Sequence, residues 1–223
     1  MRRKEPSRAK GGTTVGVTGH RPAKVRDSPL LRQRVRQVLS AVRETAPSSK
    51  AQLRIVSALA EGADRIAAEE ALSLGYALVA LLPFTRDEYE KDFEKAASRR
   101  AFRSLLKRAV AVIEHDGDAA DRDTAYEAVG RAVLRDSDVL LALWDGQDPA
   151  GRGGTGQIVR EAVAAGRLTV WIKAARPHEA VILRAGGELP IGALSQFFRP
   201  RSQVPRHTSP DKDPGRRPRK PPR

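Results

Sequence analysis

Residues 139–172, VLLALWDGQDPAGRGGTGQIVREAVAAGRLTVWI, contain one complete structural unit. The apolar run at 139–144 predicts a strand that is buried on both faces. A glycine-rich segment follows and leads into an amphipathic helix at 154–166, and the β-branched run at 168–172 predicts the next strand. Two strands joined by a helix in this way are expected to be parallel.

The same alternation of strands and helices extends over most of the chain. The predicted strands are at 14–18, 53–57, 77–82, 109–113, 139–144 and 168–172, and the predicted helices are at about 29–46, 63–75, 87–108, 123–136 and 154–166. Parallel strands joined by helices need right-handed crossovers, which place helices over the sheet. The predicted fold class is therefore α/β, a single Rossmann-like domain at 13–198 whose doubly wound, mostly parallel sheet has helices on both faces.

The charge of the chain is concentrated at its two ends. The net charge is +14, of which residues 1–10 carry +4 and residues 199–223 carry +7, so that +3 remains for the residues between them. The segments 1–12 and 199–223 are basic, and the second is also rich in proline, which predicts disorder. The tail at 199–223 is interpreted either as a weak nucleic-acid contact or as a solubilising segment.

Composition excludes several kinds of site. The chain has no cysteine, so disulfides and thiolate metal sites are ruled out, and its four histidines lack ligand spacing, so no metal site and no required cofactor are expected. No apolar run approaches the roughly 18 residues that span a bilayer, which predicts a cytoplasmic protein without membrane contact.

Candidate site residues follow the first, second and fifth strands, because ligands of open α/β sheets bind outside the carboxyl ends of the strands. The candidate ligand-binding residues are Thr18, Gly19, His20 and Arg21 after the first strand, Ser57, Glu61, Gly62 and Asp64 after the second, and Asp145, Gly146, Gly153, Gly154, Thr155, Gly156 and Gln157 after the fifth. We expect Arg21, Gly62 and Asp145 to line one cleft if the sheet is doubly wound.

Each of these residue types has a physical reason to bind a phosphorylated ligand. Arg21 offers a planar fork of donors to phosphate, and small residues such as Gly62 let a ligand approach the backbone. The backbone amides of the glycine-rich loop and the positive end of the helix beginning near Thr155 favour an anion. Asp145 ends an apolar strand, where a carboxylate is costly unless it meets a donor such as a ribose hydroxyl.

Four blocks of the sequence, taken together, resemble a known superfamily. They are VGVTGHR, SALAEGADRIAAEEALSLGYALVALLPF, RDTAYEAVGRAVLRDSDVLLALWDG and GRGGTGQIV, and they are similar to the SLOG superfamily of Rossmann-like nucleotide sensors. That superfamily is related to the Lonely-guy phosphoribohydrolases and to DNA-processing protein A. The resemblance implies binding of a nucleotide or of an NAD-derived molecule such as ADP-ribose, often in bacterial defence or signalling.

The resemblance also implies roles for individual residues. It places Gly19, Ser57, Gly62 and the turn at 153–155 around the phosphates and ribose of the ligand. The Lonely-guy motif PGGxGTxxE ends in a catalytic Glu, and here Ile158 stands at that position, with Gln157 before it and Glu161 three residues later. In the DNA-processing proteins the second block resembles SGxAxGxD, which Ser57, Ala60, Gly62 and Asp64 match in spacing, although Ala58 replaces the first glycine.

Three functions are compatible with this sequence. The first is a sensor that binds a nucleotide or NAD-derived ligand and signals to an effector protein, with homo-oligomerisation as a possible step. The second is a nucleoside 5′-monophosphate phosphoribohydrolase, in which Glu61, Asp145 or Glu161 would be catalytic. The third is a DNA-associated protein whose basic ends supply the affinity. The missing motif Glu and the lack of a nucleophile–base pair favour the sensor.

Overall fold

The computed structural model describes residues 12–22, 24–46, 52–147 and 154–198. The predicted basic segments lie outside these ranges, apart from Gly12, and so does Gly153. The described residues form eight strands, six α-helices and one 3₁₀ helix. In chain order these are β1 (Thr13–Gly19), α1 (Pro29–Thr45), β2 (Leu53–Ser57), α2 (Ala63–Ser73), β3 (Ala77–Leu82), α3 (Arg86–Glu90), α4 (Ala96–Arg108), β4 (Ala111–Glu114), α5 (Arg122–Arg135), β5 (Val139–Trp144), α6 (Thr155–Ala164), β6 (Leu168–Lys173), β7 (Ala180–Arg184), β8 (Gly187–Pro190) and the 3₁₀ helix (Ile191–Phe197).

All eight strands form one sheet in the order β4-β3-β2-β1-β5-β6-β7-β8. The pairs among β1 to β6 are parallel, whereas β7 and β8 are antiparallel to their neighbours. Each of the strands β1 to β5 is followed by a helix, as crossovers between parallel strands require. The predicted α/β class, with its doubly wound and mostly parallel sheet, is confirmed.

Successive residues of the strands face opposite sides of the sheet, so the core has two layers. On β3, for example, Leu78 and Leu82 belong to the large core cluster beneath α1, α2 and α4, while Val79 and Leu81 pack with residues of α5. On β5, Leu140 packs against α6. This two-sided burial explains why these strands are apolar without interruption.

The prediction of one helix at 87–108 is wrong, because the chain bends between α3 and α4. Tyr89, Phe93 and Phe102 are fully buried in one aromatic cluster, and Phe93 lies in the segment between the two helices. A straight helix would not let all three rings meet. Arg99 Nη1 donates hydrogen bonds to the carbonyl oxygens of Phe93 and Glu94 at 2.7 and 2.9 Å, which satisfies backbone groups at the bend.

The hairpin of β7 and β8 was not predicted, although its residues carry a hairpin signal. Ala185 and Gly186 connect the strands as a two-residue turn, and Gly187 beside it has a φ of 126°. The hairpin extends the sheet beyond β6. It lies away from the carboxyl ends of β1 and β2 and does not alter the order of the parallel strands.

The strand order reverses at β1, which pairs with β2 on one side and with β5 on the other. The chain builds the sheet outward from β1 to β4 and then crosses back to place β5 beside β1. The loops that leave β1 and β5 therefore diverge and leave a crevice between them.

Candidate functional site

A cleft of about 350 Å³ opens at this reversal point, at the carboxyl ends of β1 and β5. It is bordered by the β1–α1 loop, the β2–α2 loop, α5 and the first turn of α6. Arg21 and Lys24 line it from the first loop, and Gly154, Thr155 and Gly156 line it from α6. Residues that are far apart in sequence thus meet at one end of the sheet.

The last residue of β1 is Gly19, and no larger residue would fit at this position. A Cβ atom on Gly19 would lie 2.3 Å from Ala63 Cβ and 2.9 Å from the carbonyl oxygen of Leu143. Next to it, the His20 amide donates to the Leu143 carbonyl oxygen, and the His20 carbonyl oxygen accepts from the Ala63 amide, both at 3.1 Å. The start of the β1–α1 loop is thereby fixed to β5 and to α2.

Gly62 has a structural role that differs from the predicted one. Its φ of 90° suits glycine, and a Cβ atom there would lie 2.7 Å from the His20 carbonyl oxygen and 3.0 Å from the Arg21 carbonyl carbon. The small residue therefore lets the β1–α1 loop approach α2. Gly62 does not line the cleft, so it acts on this site through the position of Arg21.

Arg21 is half-exposed at the edge of the cleft. Its guanidinium lies 5.8 Å from the centroid of the Tyr126 ring, and its Nη2 is 4.0 Å from Asp92 Oδ2. Asp92 is almost completely buried and also accepts hydrogen bonds from the Tyr126 hydroxyl and from Arg122. Arg21 is thus held near an acidic group but keeps exposed donors for another anion.

Asp145 connects the two loops that flank the cleft. Its Oδ2 accepts a hydrogen bond from Lys24 Nζ at 2.7 Å, and its Oδ1 is 2.8 Å from His20 Nε2. Partial burial acts to raise the pKa of Asp145, but the hydrogen bonds from Lys24 and His20 outweigh it and hold this pKa well below the usual range. Asp145 therefore neutralises charge at the cleft edge and does not itself line the cleft.

Ser57 and Asp64 organise the β2–α2 loop. The Ser57 hydroxyl donates to Asp64 Oδ2 at 2.9 Å, and both side chains are buried. Burial raises the pKa of Asp64 to about 6, and hydrogen bonds from Ser57 and from the amides of Ala58 and Ala60 offset only part of this effect. Asp64 lines the cleft, whereas Ser57 supports it from behind.

The first turn of α6 faces the cleft as predicted, with Gly154 as the N-cap residue. Among the described residues no side chain caps this turn, so its first amides and the positive end of the helix dipole can bind an anion. Ile158, which stands at the position of the Lonely-guy Glu, is buried and forms part of the apolar floor.

Four other predicted site residues do not line the cleft. Glu61 accepts a hydrogen bond from Ser98 and lines a separate small cavity with Gly62 and Arg65. Gln157 donates to Glu127 and Glu161, and Glu161 is paired with Arg131 on the surface of α5. Gly146 has a φ of 82° and approaches the Trp171 ring. Of the remaining predicted residues, Thr18, Gly19, His20 and Arg21 line the cleft.

Lys24 and Tyr89 also line the cleft, although they were not among the predicted ligand contacts. Lys24 reaches it because the chain turns after Arg21, whose carbonyl oxygen accepts from the Lys24 amide at 3.1 Å. Tyr89 contributes its buried side chain from α3. Neither belongs to a recognisable motif, and only the turn signal at Pro22 pointed to the bend before Lys24.

Comparisons with known proteins support the fold. No family model matches the chain, and no curated protein sequence matches it. Solved structures do match it. One is DNA processing protein A from Helicobacter pylori, a structure described for its single-stranded DNA binding mode. It is 17% identical to this chain with a TM-score of 0.50, and the match covers 85% of this chain and 74% of that one. DNA processing protein A from Streptococcus pneumoniae is 18% identical (TM-score 0.47, covering 75% and 52%), and the protein TM1055 is 16% identical (TM-score 0.42, covering 70% and 72%).

The likeness to the Helicobacter pylori protein confirms the Rossmann-like fold expected from the SLOG resemblance. At this level of identity the likeness concerns the fold alone. Among the described residues, no helix is long and apolar enough to cross a membrane.

Proposed function

We propose that this chain binds a nucleotide-type ligand, with the ligand's phosphate in the cleft between β1, β5 and α6. The observation that carries the proposal is the convergence of two half-exposed cations, Arg21 and Lys24, with the uncapped first turn of α6 in one cavity. A guanidinium, an ammonium and helix amides each favour a phosphate group. Their convergence is what a single anion site needs.

The rest of the cleft suits a nucleoside. Its lining is mainly apolar, with Val129 and Ile158 on the floor and the rings of Tyr126 and Trp144 at its sides. Ligand pockets of this kind combine an apolar wall with a few polar groups that fix the orientation of the ligand. A base could stack on one of these rings while the phosphate reaches α6, so a nucleotide fits better than inorganic phosphate.

Binding without hydrolysis is the version of this function that the residues support best. Among the described residues, Asp64 is the one carboxylate that lines the cleft, and it is already bonded to Ser57 and two backbone amides. Glu61 and Glu161 point away from the cleft, and Ile158 occupies the position of the motif Glu. The phosphoribohydrolase and DNA-associated alternatives stay predictions.

A ligand phosphate in this cleft would compete with two acids of the chain. Lys24 and His20 contact Asp145, and Arg21 lies near Asp92. A phosphate that draws Lys24 and Arg21 inward would weaken the link between the β1–α1 loop and the end of β5. Such a loop movement is a physical means by which a sensor could signal occupancy to an effector protein or to a second copy.

The test is a binding screen with AMP, ADP-ribose, NAD and cyclic dinucleotides, using thermal shift followed by titration calorimetry. For the ligand that binds, Arg21→Ala should weaken binding by about 1.5 to 3 kcal/mol, the usual size of a charge-assisted hydrogen bond. Arg100→Ala is the matched control, since Arg100 is exposed on α4 and outside the cleft. Equal affinities of the two variants would refute the assignment, and release of free base from a monophosphate would show hydrolysis instead.

A further inference from the structure

A second groove lies at the other end of the sheet. It has a volume of about 640 Å³ and is formed by the starts of β1 and β6, the end of β7 and the end of the 3₁₀ helix. We call it the basal groove and define it by Arg167, Arg184, Phe197 and Phe198 together with Gly12 and Thr13. Because it adjoins the amino ends of the parallel strands, it is separated from the nucleotide cleft by the length of the sheet.

The two arginines of the basal groove have no acidic partner among the residues that the structure describes. Arg167 forms no ion pair there, and Arg184 has its guanidinium 5.7 Å from the centroid of the Phe197 ring. The lining contains one acid, Asp138, whose Oδ2 accepts a hydrogen bond from the Thr14 amide at 2.9 Å. Elsewhere many arginines of this chain are paired with acids, as Arg32, Arg36 and Arg131 are.

Aromatic surface lies beside this charge. Phe197 is one of only three large apolar side chains that are exposed among the described residues, with 38% of its surface accessible. Phe198 lines the same groove and is partly buried against the core. An exposed ring next to unpaired guanidinium groups is the combination that stacks a base and holds the adjoining phosphate.

Both basic segments of the chain join the described residues at this groove. Residue 12 is the last residue of the segment 1–12 and residue 198 precedes the segment 199–223, and both residues line the groove. Residues 1–10 carry a net charge of +4 and residues 199–223 carry +7, so most of the net charge of +14 is attached here. The fold thus brings residues 12 and 198, to which these segments are joined, to one end of the sheet.

We infer that the basal groove binds single-stranded nucleic acid, with phosphates at Arg167 and Arg184 and a base stacked on Phe197. A single strand of nucleic acid offers negatively charged phosphates as partners for the two arginines and flat base faces that can stack on the Phe197 ring. A duplex keeps the flat faces of its bases stacked inside, where an aromatic ring cannot reach them, and an anionic lipid surface presents no base. The inference is independent of the nucleotide cleft, since the two sites share no residue.

The experiment uses the full chain and a fluorescein-labelled thymidine 15-mer, with fluorescence anisotropy measured over a series of NaCl concentrations. Arg167→Glu with Arg184→Glu should lower the affinity about tenfold or more and reduce the salt dependence, because contacts to two phosphates are lost. The matched control is Arg100→Glu with Arg108→Glu, which makes the same change of charge at exposed positions of α4. An equal loss in both double variants would overturn the inference, because overall charge alone would explain binding.

Phe197 tests the stacking step separately. Phe197→Leu removes the ring but keeps an apolar side chain, and it should weaken binding roughly 5- to 150-fold, the range found when one stacked base is lost. Phe197→Tyr keeps the ring and should bind as the parent chain does. Unchanged binding by the Leu variant would refute the stacked base, provided that its melting temperature also matches the parent's.

Two further probes separate the possible partners. A 15-base-pair duplex and vesicles that contain phosphatidylserine are compared with the single strand at the same salt concentration. Tighter binding of the duplex, or binding of vesicles without the single strand, would overturn the assignment to single-stranded nucleic acid. Loss of single-strand binding in the groove variants with unchanged nucleotide binding would support it and leave the proposed function unaffected.

Discussion

The contact between Gly62 and the β1–α1 loop gives a sharp test of how the cleft is built. Gly62→Ala would place a Cβ atom 2.7 Å from the His20 carbonyl oxygen, in a residue whose φ is 90° and whose ψ is −122°. Gly75→Ala is the matched control, because Gly75 also has a positive φ, 84°, but no atom within 4 Å of the added Cβ. Both variants strain the backbone, and only the first displaces the loop.

The expected losses of stability differ in size. Gly75→Ala should lower the free energy of unfolding by about 1 kcal/mol, the cost of a positive φ in an alanine. Gly62→Ala adds a less favourable ψ and a clash with backbone atoms, and the loop shift breaks the 3.1 Å hydrogen bond between the Ala63 amide and the His20 carbonyl oxygen. We expect its total loss to reach about 3 to 4 kcal/mol.

Unfolding in guanidinium chloride measures both losses through the denaturant midpoint, provided that the free energy of unfolding keeps the same slope against denaturant concentration. Calorimetric titration with the nucleotide that binds then tests the site itself. Gly62→Ala should weaken binding about tenfold because Arg21 moves with the loop, whereas Gly75→Ala should bind as the parent chain does. Equal losses of stability, or an unchanged affinity in folded Gly62→Ala, would refute the coupling between α2 and the loop.

Three other substitutions test separate parts of the site. Asp64 has its pKa raised from 3.8 to about 6 in the folded chain, so its contribution to stability is full below pH 3.8 and falls by about 3 kcal/mol as the pH rises through 6. In urea unfolding, the free energy of unfolding of Asp64→Asn should not show this fall between pH 4 and pH 7. If the free energies of the variant and the parent chain changed in parallel with pH, the pKa assigned to Asp64 would be contradicted. Gly154→Val should abolish the stabilisation by nucleotide in a thermal-shift assay, because its side chain would occupy the space beside the first turn of α6. The melting temperature of the ligand-free variant should change little. Retained binding would exclude a phosphate at this turn. Asp145→Asn should strengthen nucleotide binding about two- to fivefold by releasing Lys24. A weaker affinity by calorimetry would instead favour the ribose contact expected for Asp145 from sequence.

Much of the fold could be predicted because β3 and β5 are apolar over their whole length and the other parallel strands contain short apolar or β-branched runs. The β5 run at 139–144 and the helix that starts at Thr155 were located from composition and glycine spacing alone. The bend between α3 and α4 could not be found in this way, because the helical pattern continues through it and the burial of Phe93 decides where the chain turns. Hydrophobic periodicity is local, whereas burial depends on partners that are distant in sequence.

The candidate site was predictable in part for the same reason. Strand ends are visible in the sequence, so Arg21 and Gly154 could be selected as residues that follow strands. The direction of a side chain is not visible, and Glu61 and Glu161 follow the same pattern but turn toward Ser98 and Arg131. Lys24 enters the cleft through a turn and a contact with Asp145, which lies 121 residues away along the chain.

The sequence by itself determined most of the local elements of this protein, and it predicted the end of the sheet at which the cleft lies. Strand periodicity, helix amphipathicity and glycine placement are encoded within short windows, and right-handed crossovers leave few ways to assemble them. The tertiary structure alone decided that β1 lies between β2 and β5, that Asp145 neutralises Lys24, and that residues 12 and 198 meet at one groove. These features depend on contacts between distant residues, which form only when the whole sheet has been assembled.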